Sequence, residues 1–389
     1  MIVKDEAGDL PGCLESLRGT VDEIVVYDTG STDATRRLAA TAGARVLAGY
    51  WDDDFGRARN AALEMTRADW ILVIDADERL DGDPSGLRAF LRAAPAGLDL
   101  LQVRVTNLID GRPADTLASV RIARRAAVRW EGTVHEQLRA TAEPDERQRA
   151  LAPGPSRILH HGYADQRAVR AKSERNLALA RAQLDRLVAG GRPDPDAVAR
   201  VLLDLGRSAV GAGLRQDAVD AFETLREVVP GGMQRAQGTG LLAQLLLDEG
   251  GFDEVVLVLE AELRDGGAAA RGYCDWLRAQ ALARLGRAGE ALELLRGIGS
   301  LSDPVGNQLP VAVVLVARTL LAAATGHPEE AGNALLEAML EHGAAAEQHG
   351  LLAQLWAGRE AELDRRLAAH TGPYAAGVRS QLMACAPNG

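Results

Sequence analysis

The sequence predicts an α/β three-layer, Rossmann-like domain over residues 1–168, a connecting helix and linker over 169–194, and an all-α helical-repeat domain over 195–389. Apolar runs of strand length alternate with amphipathic helical segments up to about position 168. Beyond Ala164 such runs disappear, and Ala, Leu, Arg and Glu recur at helical spacing. Glycine then punctuates the helical part at near-regular intervals, and the break Gly190-Gly-Arg-Pro-Asp-Pro195 sets the boundary by composition.

In chain order, Ile2-Val3 reads as a short strand and Leu10 to Leu17 as a helix with Pro11 in its first turn, where a missing N–H is tolerated. Glu23 to Asp28 is a second, buried strand, followed by the turn Thr29 to Asp33 and a helix from Ala34 to Ala42. Ala44 to Leu47 is a third strand, Phe55 to Thr66 a helix, and Trp70 to Ile74 a fourth strand. Strands and helices alternating at this spacing predict a mainly parallel sheet with right-handed crossovers. Leu100 to Asn107, Ala118 to Ile122 and Arg157 to Tyr163 add further strand-like runs, the last ending in a turn.

Ligands of such sheets sit beyond the carboxyl ends of the strands, where Asp28 and Asp75 both fall. In Trp70-Ile-Leu-Val-Ile-Asp-Ala-Asp-Glu78 the two aspartates are two apart, so a strand continued that far places Asp75 and Asp77 on one face, converging on one cation. Oxygen ligands favour Mg²⁺ or Mn²⁺, with water and substrate phosphate completing the shell. The spacing alone fits a plain strand end equally well; the buried run ahead of it is the distinguishing feature. Asp52-Asp53-Asp54, Asp81-Gly82-Asp83 and Asp194-Pro195-Asp196 lack such a run and read as solvated loop.

The turn Gly30-Ser-Thr-Asp33 offers Ser31, Thr32 or Asp33 as an N-cap and backbone N–H groups for an anion, although a capped helix alone is the commoner meaning. His135-Glu136 is the one adjacent His–Glu pair, and it reads either as a general base with an assisting imidazole or as a surface pair. His160 or His161 offers a nitrogen ligand to a metal held by Asp77, against the alternative of two hydrogen-bonded turn histidines.

In the helical part, Gly213-Leu-Arg-Gln-Asp-Ala218, Gly250-Gly-Phe-Asp-Glu-Val255, Gly286-Arg-Ala-Gly-Glu-Ala291 and Gly326-His-Pro-Glu-Glu-Ala331 align, with sixth positions separated by 37, 36 and 40 residues. This approaches the ~34-residue period of a tetratricopeptide helix pair, each glycine ending one helix. Stacked pairs of this kind make a groove suited to an extended peptide or to a second subunit of a homodimer.

Net charge −11 argues against nucleic acid and anionic membrane as partners. Cys13, Cys274 and Cys385 are too few and too far apart for a disulfide framework or a Cys-rich zinc site. No GxGxxG follows the first strand, which disfavours a dinucleotide dehydrogenase. The opening Met1-Ile-Val-Lys-Asp-Glu6 lacks the pattern of a secretory signal, and the apolar tract Leu309 to Ala324 is too short for a membrane span, so the expected compartment is the cytoplasm.

On these residues the chain resembles a family 2 glycosyltransferase of the GT-A fold, in particular the bacterial branch that carries tetratricopeptide-like repeats and includes peptide S-glycosyltransferases. The likeness covers about residues 1–180 through six blocks in order: MIVKDE, VDEIVVYDTGSTDAT, DDFGRARN, WILVIDADE, WEGTVHEQL and ILHHGY. One departure is that the family pattern has several strand residues ahead of MIVK, where this sequence opens at Met1. The resemblance implies a metal-dependent, inverting glycosyltransferase moving a sugar from a UDP-sugar to a peptide, natural-product or glycan acceptor, with Mn²⁺ or Mg²⁺ as cofactor. It implies that Val3, Glu6 and Asp28 line the nucleoside pocket, that Arg59 and Asn60 lie near the sugar-diphosphate, and that Asp75 approaches the ribose beside Ala76. It further implies Asp77 and His160 as metal ligands and Glu136, next to His135, as the acceptor-side base. The competing reading is a non-catalytic nucleotide-binding repeat scaffold for protein interaction, which turnover of a donor panel separates from the enzyme.

Overall fold

The computed structural model describes residues 1–109, 112–134, 136–141, 149–151, 156–161, 166–191, 193–265, 271–304, 308–344, 348–372, 374–375 and 377–380. Strands β1 (Ile2–Val3), β2 (Val25–Asp28) and β3 (Arg45–Ala48) pair in parallel in that order. Helix α1 (Leu10–Ser16) and helix α2 (Thr35–Thr41) make the two crossovers. All four residues of β2 are buried. Val3, Leu10, Leu14, Val26 and Ala39 form the core between this sheet and its helices.

Helix α3 (Phe55–Met65) leads to β4 (Trp70–Leu72), β5 (Glu78–Asp81) and helix α4 (Pro84–Ala93). A long hairpin follows, β6 (Leu100–Ile109) with β7 (Arg112–Arg124), then a 3₁₀ turn (Arg125–Ala127) and the short hairpin β8 (Val128–Glu131) with β9 (Gln137–Ala140). Strands β10 (Arg149–Leu151) and β11 (Arg157–His160) complete a six-stranded sheet in the order β4-β7-β6-β11-β5, with β10 on β6.

The expectation of a mainly parallel sheet is met by β1 to β3 and corrected beyond them. The described partner of β4 is β7, antiparallel, because the run Leu100 to Arg124 folds back on itself as a hairpin and presents its second strand to Trp70, Ile71 and Leu72. The sheet is mixed. A cavity of about 520 Å³ opens among residues of β2, β4, α4 and the segments leading into β2 and β4, at the amino ends of those strands.

The three acidic runs read as loop prove to be helix starts. Asp54 accepts the N–H of Arg57 at 2.8 Å, Asp83 that of Ser85 at 2.9 Å, and Asp194 that of Asp196 at 3.2 Å, at the heads of α3, α4 and α6. A short carboxylate ahead of a helix satisfies orphan donors there, which the count of acids alone does not reveal.

Helix α5 (Gln166–Ala189) packs against α6 (Pro195–Ala212), and α7 (Arg215–Val228) follows. The pairs α8 (Met233–Glu249) with α9 (Phe252–Asp265), α10 (Arg271–Arg284) with α11 (Ala288–Arg296), α12 (Val311–Ala324) with α13 (Pro328–His342), and α14 (His349–Leu355) with α15 (Glu360–Ala369) continue to the end of the described chain. Two compact units are distinguishable by contacts, 1–218 and 219–389. In the second, Phe222, Leu225, Leu242, Leu259, Leu292, Leu295 and Trp356 are fully buried. A small hairpin, β12 (Leu301–Ser302) with β13 (Gln308–Leu309), interrupts the helices. Among the described residues no helix is long and apolar enough to cross a membrane.

The four aligned glycines end helices by one device. Gly213, Gly250, Gly286 and Gly326 have φ of 71°, 81°, 76° and 80°, a left-handed turn that reverses the chain. In each case the next residue's N–H reaches back to a helix carbonyl: Leu214 to Ala209 at 2.9 Å, Gly251 to Leu246 at 2.9 Å, Arg287 to Leu282 at 2.9 Å, and His327 to Ala322 at 2.8 Å. A Cβ at Gly213 meets nothing within 4 Å, so its substitution isolates the backbone term. Gly213→Ala is expected to lower unfolding free energy by about 1 kcal/mol, and Gly213→Asn by less, since asparagine tolerates this conformation. Denaturant melts of the two variants check this.

Candidate active site

The loops after β1, β2 and β4 converge. Asp28, at the end of β2, is 1% exposed; its Oδ1 accepts the N–H groups of Gly30 at 3.0 Å and Ser31 at 2.8 Å. The next two N–H groups of the turn, of Thr32 and Asp33, go to Oδ1 of Asp5 at 2.7 and 3.3 Å, and Asp5 adopts φ 56° to reach them. The anion expected on this turn is therefore internal: two side chains of the protein take its donors. Asp33 caps α2 from one position further out than a regular N-cap, accepting the N–H of Thr35 at 2.9 Å. Oδ2 of Asp28 has no partner and is shielded from solvent. Val3 is buried, and its carbonyl receives the N–H and hydroxyl of Thr29 at 3.0 and 3.2 Å.

After β4 the strand geometry stops at Leu72, and this overturns the common face expected for Asp75 and Asp77. The segment turns, with Glu78 N–H on the carbonyl of Asp75 at 3.1 Å, so period-two alternation no longer applies, and the two carboxylates take different partners. Asp75 accepts Nη2 of Arg59 at 3.0 Å and lies 4.0 Å from Nη1 of Arg121. Arg59 also donates through Nε to Glu136 Oε1 at 2.5 Å and lies over the Trp130 ring at 4.9 Å. Arg121 grips Glu78, whose Oε2 in turn accepts the backbone N–H of Asp75 at 2.9 Å. Desolvation opposes a charge on Asp75, but Arg59 and Arg121 outweigh it and hold that carboxyl well below the usual carboxylate range. Burial pushes Glu78 up in spite of Arg121.

Asp77 has a different partner. Its Oδ2 is 3.2 Å from Nε2 of His160, and Nδ1 of His160 is 2.9 Å from Oδ1 of Asn107 on β6. Burial opposes a proton on His160, but Asp77, Glu78 and Asp75 more than offset it and raise its pKa. His161 gives only its backbone N–H, to the Asp77 carbonyl at 3.0 Å, and its side chain is exposed. Burial and then the charges of Asp77, Asp9 and Asp75 push Glu6 up to about 7. Carboxyl groups crowded at one end of a sheet, with an imidazole whose outer nitrogen is tied to an amide, fit a divalent cation as the missing counter-charge. Asp77 and His160 bring one carboxylate and one imidazole together; among the described residues no group of three or more His, Cys, Asp or Glu is arranged to hold a metal.

Asn60 uses both ends of its amide on the backbone of Trp130, donating to the carbonyl at 3.0 Å and accepting the N–H at 2.9 Å. It thereby fixes the β8–β9 hairpin to α3 and sets the distance from Arg59 to Glu136. His135 lies outside the described residues, as does Tyr163. Ala76 is 3% exposed, its carbonyl held by Nη1 of Arg79 at 3.0 Å. Beneath Asp75, the thiol of Cys13 donates to its carbonyl at 3.3 Å, and burial pushes this thiol up to about 12, which makes it inert.

With this geometry in view, residues 1–130 match the model described as Glycosyl transferase family 2. The N-terminal domain belongs to glycosyl transferase family 2. A TPR repeat-containing protein of Synechococcus elongatus is 38% identical over 172 residues, 43% of this chain and 42% of that protein. The SPbeta prophage-derived glycosyltransferase SunS of Bacillus subtilis is 27% identical over 187 residues, 46% of this chain and 43% of the relative. An uncharacterized glycosyltransferase of Rickettsia felis is 39% identical over 80 residues, 21% of this chain and 28% of its own length. The chain thus spans less than half the length of these curated relatives. In this chain the matched residues are followed by helix pairs.

Several participants escaped the sequence reading. Asn107, Glu78 and Arg121 come from strands whose pairing is long-range. Asp204 on α6 is half-buried; burial, with the charge of Glu136 adding to it, pushes its carboxyl from 3.8 up to about 8 against Arg207 and Arg200. Its signal in the sequence is a single acid inside the apolar run Val201-Leu-Leu-Asp-Leu205. A proton kept in the folded state and lost in the unfolded one between about pH 4 and 8 makes stability fall with rising pH over that window. Asp204→Asn is therefore expected to match the wild type near pH 4 and to melt at higher temperature than it at pH 8 to 9. A difference in melting temperature that does not vary with pH would contradict this.

Proposed function

We propose that this protein is a metal-dependent, inverting glycosyltransferase that moves a sugar from a UDP-sugar to a peptide acceptor. The observation that carries the reading is the Asp77–His160 pair, 3.2 Å apart at the exit of the sheet beside Asp75 and Glu6. Asp77 and His160 hold Mn²⁺ or Mg²⁺, with the donor's phosphate oxygens and water as the remaining ligands. When bound there, the cation lowers the charge that builds on a departing nucleoside diphosphate, worth several kcal/mol.

The protein's own groups do the rest. Oδ2 of Asp28, buried without a donor, accepts an N–H of the base, and Val3 and Glu6 close the nucleoside pocket. Asp75, held ionised, accepts from the ribose hydroxyls, next to the Ala76 backbone. Arg59 stands between donor and acceptor sides, touching both Asp75 and Glu136, and Asn60 keeps it there through Trp130. Glu136 takes the proton from the acceptor atom as it attacks, assisted by its sequence neighbour His135.

Helical repeats are scaffolds for extended peptides and for self-association, which supports a peptide acceptor and a homodimer over a free sugar and a monomer. In this reading 1–168 is the catalytic domain, 169–194 the connection and 195–389 the repeat domain. Few cysteines and an acidic balance support the cytoplasm as its compartment.

Asp77→Ala is expected to abolish both hydrolysis of a UDP-sugar and transfer, with the melting temperature kept, and a chelator is expected to do the same to the wild type. Activity unchanged in the variant, with and without chelator, would contradict the mechanism.

A further inference from the structure

Lysine is rare in this chain: of 44 basic Lys and Arg residues, only Lys4 and Lys172 are lysines. Lys172 lies on α5, less than two turns into a helix that begins six residues after His160. One turn further on, Arg175 sits over the ring of Phe55 at 5.3 Å, and Asn176 beside it is buried. Phe55 opens α3, and Arg59 follows one turn later on the same face. The stripe of α5 that carries Lys172 is thus anchored to the head of the helix that carries Arg59. Its ammonium stands within electrostatic reach of both Glu6 and Asp75, which come from the loops after β1 and β4.

The other cations at this point are already engaged. Arg59 is divided between Asp75 and Glu136, and Arg121 is held by Glu78. The Lys172 side chain is exposed, and among the described residues no ion pair or hydrogen bond holds it. A flexible ammonium acts as a mobile point charge, the form in which lysine binds phosphate.

We propose that Lys172 is a donor-binding residue that reaches from α5 to the diphosphate of the nucleotide, adding a cation to those of Arg59 and Arg121. This rests on the donor site described under the proposed function. The test is calorimetric titration of the full chain with UDP and with uridine, in Mn²⁺, for the wild type, Lys172→Ala and Lys172→Arg. Lys172→Ala is expected to weaken UDP about tenfold or more, the scale of one lost charge-assisted hydrogen bond, while leaving uridine unchanged. Lys172→Arg keeps most of the UDP affinity. An unchanged UDP affinity in Lys172→Ala, or an equal loss for UDP and uridine, overturns the assignment of Lys172 alone. A wild type that binds neither UDP nor uridine overturns the donor site itself, and Lys172 with it.

Discussion

Glu78, Arg121, Asp75, Arg59 and Glu136 form a chain of alternating charge, and the arrangement of the α/β domain depends on it. Glu78 is 2% exposed, so a carboxylate at the end of a sheet is taken from water and must be met by a guanidinium. Removing one partner of such a buried pair costs about 3–5 kcal/mol, a large part of a domain's stability. The chain fixes more than charge. Through Glu78 it holds the backbone of Asp75, and through Arg59 it ties the β8–β9 hairpin to α3, so Asp75 and Glu136 share one cation. Asp77 lies outside the chain, and this leaves it free to face His160.

The order of elements up to β4 was legible because local signals suffice for it. Val25 to Asp28 is buried along its whole length, Pro11 sits in the first turn of its helix, and the four repeat glycines take the left-handed turn that only a missing Cβ makes cheap. What failed was whatever depends on where a strand stops. Asp75 and Asp77 were assigned one face on the assumption that β4 continues; it ends at Leu72, and the two side chains take different partners. The partners that decide their roles are remote in sequence: Glu136 is 77 residues from Arg59, and His160 is 83 from Asp77. No periodicity connects such pairs, whereas the quoted blocks brought most of the same residues together by resemblance.

Acidic residues were the other blind spot. Asp5 and Asp28 fill the turn that looked open to an external anion, and Asp54, Asp83 and Asp194 cap helices in runs that looked merely solvated. In each case the carboxylate answers backbone N–H groups a few residues away, a use that composition cannot separate from surface charge. The fifth helix pair was missed for a related reason. Helix α14 is only seven residues long, below the length at which helical periodicity is readable, and Gly358, at φ 80°, stands two residues past its C-cap Trp356.

The central claim is that the exit of β4 is a metal–diphosphate site divided between Asp77 with His160 and Asp75 with its arginines. Anomalous diffraction from crystals grown with UDP and Mn²⁺ tests it most directly. The account predicts a manganese peak bonded to Asp77 and His160 with the diphosphate beside it. Manganese bound elsewhere, with Asp77 and His160 still paired to each other, would contradict it.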